Sequence, residues 1–247
     1  MRPKNLTPAG RVIVAADFSL ADALAVESVT EEVMNLADDI QGTDVYVKLN
    51  SILRLSGYSL IDDLQAQQLR VFADLKLFDI SATLANDGIL LRRFAPEILT
   101  ASCASGVDAL KRLNEELPET EILGVTVLTT LTEQEVQAIY GCTIPDAVLR
   151  LAEVAAQAGI DGLVCAPTEV GMLRERFGDT LSINTPGVRP VWANVKGDDQ
   201  NLDRVMTPEK AVVAGADRVV IGRPIIKSPN RRRAIQATID EIAQIAA

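Results

Sequence analysis

Val71-Phe72-Ala73-Asp74-Leu75-Lys76-Leu77-Phe78-Asp79-Ile80-Ser81-Ala82-Thr83 is the stretch on which the reading of this chain turns. Val71 to Leu77 has the apolar character of a short buried strand. Strand side chains alternate between two faces, so Asp74 and Lys76 share one face and Leu75 and Leu77 the other. Asp79 and Thr83 follow where the chain leaves the strand and enters a helix. Asp74, Lys76 and Asp79 place charge in apolar surroundings, which is costly unless the charges are paired or used. A purely structural ion pair at a strand end is one reading, and a working site is the other.

Working outward, the same form recurs: an apolar run, a polar or charged end, then a helical pattern. Arg11 to Asp17, Asp44 to Lys48, Val71 to Leu77, Glu97 to Ser102, Glu121 to Thr129, Asp161 to Ala166, Leu181 to Thr185 and Arg218 to Ile221 read as strands. Helices are expected over Ser19 to Ala37, Ser51 to Gln68, Ala82 to Phe94, Val107 to Leu117, Glu133 to Tyr140, Pro145 to Ala158, Glu169 to Phe177, Pro208 to Ala214 and Asn230 to Ile245. Strands that are continuously apolar rather than alternating belong to a parallel sheet covered on both faces. At 247 residues, a closed (β/α)8 TIM barrel is favoured over an open doubly wound sheet, because the first strand lacks the G-x-G-x-x-G fingerprint of dinucleotide binding. No linker divides the chain, so residues 1–247 read as a single α/β domain with 1–10 as an N-terminal extension.

Composition narrows the chemistry. Hydrophobic residues make up 48% of the chain, ample for a core, and no apolar run is long enough for a membrane span. The Met1 to Leu6 segment has no apolar core of the kind a secretory signal needs, so a cytoplasmic protein with no membrane partner is expected. A formal charge of −10 argues against nucleic acid as a partner but leaves room for one small phosphorylated ligand. Cys103, Cys142 and Cys165 show neither C-x-x-C spacing nor a disulfide framework. The chain contains no histidine. Histidine bases, Ser-His-Asp and Cys-His nucleophiles and the commonest zinc sites are thereby removed, and proton chemistry falls to Lys, Asp, Glu, Tyr or Cys.

In a barrel of this type the working face lies at the C-terminal strand ends, with phosphate near the loops after strands seven and eight. Asp17, Lys48, Asp74 and Lys76, Thr129 and Thr130, Pro186 to Arg189, and Gly222 with Arg223 all fall at such ends.

The segment Asp74 to Thr83 resembles the D-x-K-x-x-D-I-P-x-T signature of orotidine 5'-phosphate decarboxylases. Val125 to Thr130, Asp161 to Cys165, Thr185 to Pro190, Arg204 to Pro208 and Val220 to Ile225 are similar to further segments of the bacterial members, in family order. The resemblance implies cofactor-free, metal-free decarboxylation of orotidine 5'-phosphate to UMP and CO2. It also implies catalytic roles for Lys48, Asp74, Lys76 and Asp79 as a Lys-Asp-Lys-Asp array, with Lys76 protonating a C6 carbanion. By the same resemblance Asp17 contacts a ribose hydroxyl, Thr129 or Thr130 faces the pyrimidine, and Pro186, Arg189, Gln200, Gly222 and Arg223 lie on the phosphate side. Asp79 and Thr83 are expected to serve a partner subunit's site, making a homodimer. Departures from the family pattern include Ser81 for the usual proline, Asn50 for the usual glycine and Cys103 for a usual histidine after the fourth strand. A metal-dependent sugar-phosphate decarboxylase or synthase of the same barrel type, and a non-catalytic nucleotide-binding barrel, are the alternative readings.

Overall fold

The structure is a computed structural model that describes residues 6–19, 26–193 and 205–245. Its strands are β1 (Val12–Ala15), β2 (Tyr46–Leu49), β3 (Arg70–Leu77), β4 (Ile98–Ser102), β5 (Glu121–Val125), β6 (Gly162–Val164), β7 (Ser182–Thr185) and β8 (Arg218–Ile221). Each pairs in parallel with its neighbour in sequence, and β8 returns to β1 to close the barrel.

Period-two alternation sorts the strand residues into two layers. Ile13, Ala15, Tyr46, Phe72, Ile98, Leu123 and Val220 point inward and form the barrel's own apolar filling. Val12, Val14, Val47, Val71, Ala73, Leu99, Ile122, Ile183, Val219 and Ile221 point outward into the larger core beneath the helices. Both strand faces are dry, which explains the continuously apolar runs. Each buried Val, Leu or Ile contributes roughly 1.5–3 kcal/mol.

The surrounding helices are α1 (Val26–Ile40), α2 (Ser51–Ser56), α3 (Ser59–Gln65), α4 (Ser81–Arg92), α5 (Val107–Glu116), α6 (Glu133–Tyr140), α7 (Ile144–Ala158), α8 (Val170–Phe177), α9 (Pro208–Val213), α10 (Arg223–Ile226) and α11 (Arg231–Ala243). Their starts follow local chemistry. Thr132 and Glu135 exchange hydrogen bonds as a capping box at α6, and Thr143 caps α7 with Pro145 in the first turn. Gly88 lets α4 lie close on α5: a Cβ there would fall 2.7 Å from that of Glu116.

Three sequence expectations are corrected. The helix expected over Ser51 to Gln68 is two helices, broken at Gly57, whose φ of +82° is a conformation that ends a helix. The fifth strand stops at Val125 rather than Thr129, so Thr129 and Thr130 sit in a turn beyond it. The α10 turn after β8 was not expected at all. The start of the first helix and Gln200 lie outside the described residues. Among those described, no helix is long and apolar enough to cross a membrane.

Candidate active site

The inward positions nearest the C-terminal strand ends are polar. Lys48 on β2 and Asp74 on β3 are buried, and the chain just past β1 brings Asp17 beside them. The Lys48 ammonium donates to Asp74 Oδ2 at 2.9 Å and to Asp17 Oδ1 at 3.1 Å. Lys76 donates to the same Asp74 Oδ2 at 2.8 Å. One carboxylate oxygen thus joins two ammonium groups, and the second oxygen, Oδ1, accepts from the Thr100 hydroxyl on β4 at 2.9 Å.

Burial alone would raise the Asp74 carboxyl pKa, but the charges of Lys48 and Lys76 outweigh it and hold the group below the ordinary carboxylate value. Burial alone would likewise lower the Lys48 ammonium; Asp74 and Asp17 more than compensate, and it stands above its ordinary value. Asp74 and Lys48 therefore remain charged at neutral pH. Lys76 differs from Lys48 in exposure: its side chain is 41% exposed against 8% for Lys48. An ammonium anchored on one side and open on the other can meet a ligand.

What it opens into is a cavity of about 430 Å³. Asp17, Lys48, Asp74, Lys76, Thr129, Pro186, Arg189, Gly222 and Arg223 line it, together with Asn50 and the apolar Phe72, Val164 and Val220. A larger cavity of about 660 Å³ lies alongside, toward α1 and α11; it shares Asp17 and Arg223 but includes none of Lys48, Asp74 and Lys76, so the chemistry belongs to the smaller one.

Not every expected residue is gathered there. Thr130 is exposed in its turn and does not line the cavity, because β5 ends early and only Thr129 turns inward. Asp79 is exposed, its carboxylate accepting from the Ile80 N–H at 2.7 Å, and Thr83 sits in the first turn of α4; neither lines this cavity. Sequence reading passed over Thr100, Phe72, Val164 and Val220 as core, since an inward apolar residue at a barrel mouth has the same signature as one deeper inside. Asn50 was read as a departure rather than a wall. The buried Cys103 thiol is pushed up to about 12 by desolvation and belongs to the outer core, away from the cavity.

A family model described as the Orotidine 5'-phosphate decarboxylase / HUMPS family matches residues 10–238. A relative from Thermobifida fusca (strain YX) named orotidine 5'-phosphate decarboxylase is 44% identical over 184 residues, 74% of this chain and 77% of the relative. Another of that name, from Methylobacterium sp. (strain 4-46), is 35% identical over 97% of this chain and 98% of its own. Among solved structures, orotidine 5'-phosphate decarboxylase from Lactobacillus acidophilus is similar with a TM-score of 0.77 at 28% identity, covering 98% of this chain and 99% of that one. With a matching family model across nearly the whole barrel and relatives aligned almost end to end, the chain belongs to the orotidine 5'-phosphate decarboxylase / HUMPS family.

Proposed function

We propose that this protein decarboxylates orotidine 5'-phosphate to UMP and CO2, a step of pyrimidine nucleotide synthesis, using its own side chains. The observation that carries the reading is the Lys48–Asp74–Lys76 cluster, joined through a single carboxylate oxygen at the wall of a 430 Å³ cavity. Relatives bearing that activity's name at 35–44% identity support it.

In this reading the bond from pyrimidine C6 to its carboxylate breaks, CO2 departs and the electron pair stays on C6. The Lys76 ammonium faces the developing charge, stabilises it and then delivers a proton to C6, forming the C–H bond of UMP; the amine regains its proton from solvent. Asp74, itself anchored by Lys48, pairs with the Lys76 ammonium and holds it in place, so little reorganisation accompanies the reaction. Asp74 beside the substrate carboxylate also disfavours the bound ground state. Asp17 serves the ribose, Thr129 the pyrimidine, and Pro186, Arg189, Gly222 and Arg223 the phosphate. Phosphate binding far from the scissile bond can still lower the barrier by ordering the site.

The reading is completed by a second copy of the chain, whose Asp79 and Thr83 would complete the array and the ribose contacts of this cavity. Phe78, Ile80, Ile89 and Leu90, on and just before α4, are all at least half exposed, an apolar surface around Asp79 and Thr83 that favours a partner. Mixing two inactive variants, Lys76→Ala and Asp79→Ala, tests this directly. Subunit exchange then builds one intact site in each mixed dimer and restores about a quarter of the unaltered activity; no recovery, with exchange verified, contradicts the shared site.

The activity itself is tested by following the ultraviolet absorbance of orotidine 5'-phosphate with and without EDTA. UMP formation at the same rate in both is expected. Mg²⁺-dependent turnover of a sugar phosphate, or UMP binding without turnover, would replace the reading with one of its alternatives.

A further inference from the structure

The strand that carries Asp74 and Lys76 is not regular. Phe72 and Ala73 pair with Ile98 and Leu99, but the next pair is Leu77 with Ala101, so β3 holds two more residues than β4 over this interval. Lys76 lies in the irregular part with φ +49°, a left-handed conformation that a long side chain rarely adopts. A bulge of this kind re-aims a side chain at the cost of a ladder hydrogen bond.

The lost bond is replaced by a side chain. The Lys76 backbone N–H donates to the Thr100 hydroxyl oxygen at 3.0 Å, and that hydroxyl donates in turn to Asp74 Oδ1 at 2.9 Å. The polarity is fixed: an N–H can only donate, so the hydroxyl proton is free for the carboxylate. Thr100 is fully buried, with no water-facing alternative. A single hydroxyl therefore clamps the strained backbone at Lys76 and the carboxylate that pairs with the Lys76 ammonium.

We infer that Thr100 is a positioning residue for the reaction, setting the aim of Lys76 relative to Asp74 without touching substrate. This rests on the decarboxylase reading above, in which Lys76 delivers the proton. Binding of the nucleotide engages the cavity's other walls and does not need this clamp. The transition state does need it, because a displacement of about 1 Å in a reacting group costs on the order of 100-fold in rate.

Two variants, measured beside the unaltered protein for kcat, KM and UMP affinity, separate this from plain packing. Thr100→Val keeps the shape and deletes the hydroxyl; Thr100→Ser keeps the hydroxyl and deletes the methyl; the unaltered protein reports whether the decarboxylase reading itself holds. For Thr100→Val, kcat is expected to fall about 10- to 100-fold while KM and UMP affinity stay within about threefold, and Thr100→Ser is expected to recover most of the rate. Thr100→Val with undiminished kcat overturns the inference, as does Thr100→Ser as slow as Thr100→Val. Should Thr100→Val fail to fold, Thr100→Ala takes its place: kcat at least about tenfold below that of Thr100→Ser supports the hydroxyl's role, and kcat equal to it contradicts that role. An unaltered protein that does not turn over orotidine 5'-phosphate would instead remove the parent reading.

Discussion

The barrel has a charged cluster at each end of its interior, and the two are built differently. At the floor, Arg218 on β8 donates to Glu121 at 2.7 and 3.0 Å, to Asn184 at 3.1 Å and to the Tyr46 hydroxyl at 3.4 Å, with its guanidinium 5.0 Å from the Tyr46 ring centre. Arg70 covers the same ring from 4.2 Å and donates to the same hydroxyl. Only 2% of the Arg218 side chain is exposed. Guanidinium and carboxylate meet in a fork that is closed off from solvent. At the mouth, ammonium groups rather than guanidinium groups are used, and Lys76 retains an open side toward a cavity. Arg forks are rigid and permanently charged, whereas an ammonium can give up a proton. The floor is made to stay closed. The mouth is left open to a ligand.

The sharpest way to break this comparison is at Asp74. Asp74→Ala removes the hub of the mouth cluster, and kcat is expected to fall by at least about 10³-fold. Stability should fall by only about 1–3 kcal/mol, because Lys48 keeps Asp17 as a partner; steady-state kinetics with a thermal melt checks both. The mirror experiment is Arg218→Met at the floor. It strands Glu121 and should cost about 3 kcal/mol, seen as a melting temperature lower by roughly 6–12 °C, with kcat of the folded enzyme within about twofold. Equal loss of kcat in the two variants would erase the distinction between the ends.

A smaller effect is expected from pH. The Asp74 carboxyl is held below its ordinary value of 3.8, so its contribution is present above that pH and is lost as pH falls through the lowered value. The Lys48 ammonium stands above its ordinary 10.5, so its contribution is present below that pH and is lost as pH rises through the raised value. Thermal melts of the unaltered protein should therefore be insensitive to this cluster between these values, and Asp74→Asn should weaken the acid-side dependence. The smallest effect belongs to the outer surface. Arg176→Ala removes an exposed pair with Glu153 and should change stability by under about 0.5 kcal/mol, with no kinetic change.

The sequence made the mouth more legible than the floor for a physical reason. Asp74, Lys76 and Asp79 stand within one short segment, and a charge at the end of an apolar strand is visible without any tertiary information. The strand-and-helix alternation was equally visible, because parallel strands buried on both faces are apolar throughout. Glu121 and Arg218 instead begin their strands 97 positions apart, and Tyr46 is 172 positions from Arg218. Each alone resembles an ordinary solvated strand start. Thr100 was hidden for a related reason: within Ile98-Leu99-Thr100-Ala101 it passes as a β-former, and only the irregular pairing of β3 shows why a hydroxyl is needed there. The break at Gly57 and the early end of β5 depend on how neighbouring elements pack, so helix and strand ends were read too long. Thr130 was placed at the cavity on that account, and the turn carries it outward.

The central claim is that the exposed, tethered ammonium of Lys76 performs the proton transfer at the barrel mouth. Measuring orotidine 5'-phosphate turnover by Lys76→Ala beside its affinity for UMP tests this most directly. The account predicts a loss of at least about 10³-fold in kcat with UMP still bound by the remaining walls of the cavity. Turnover within tenfold of the unaltered protein would contradict it.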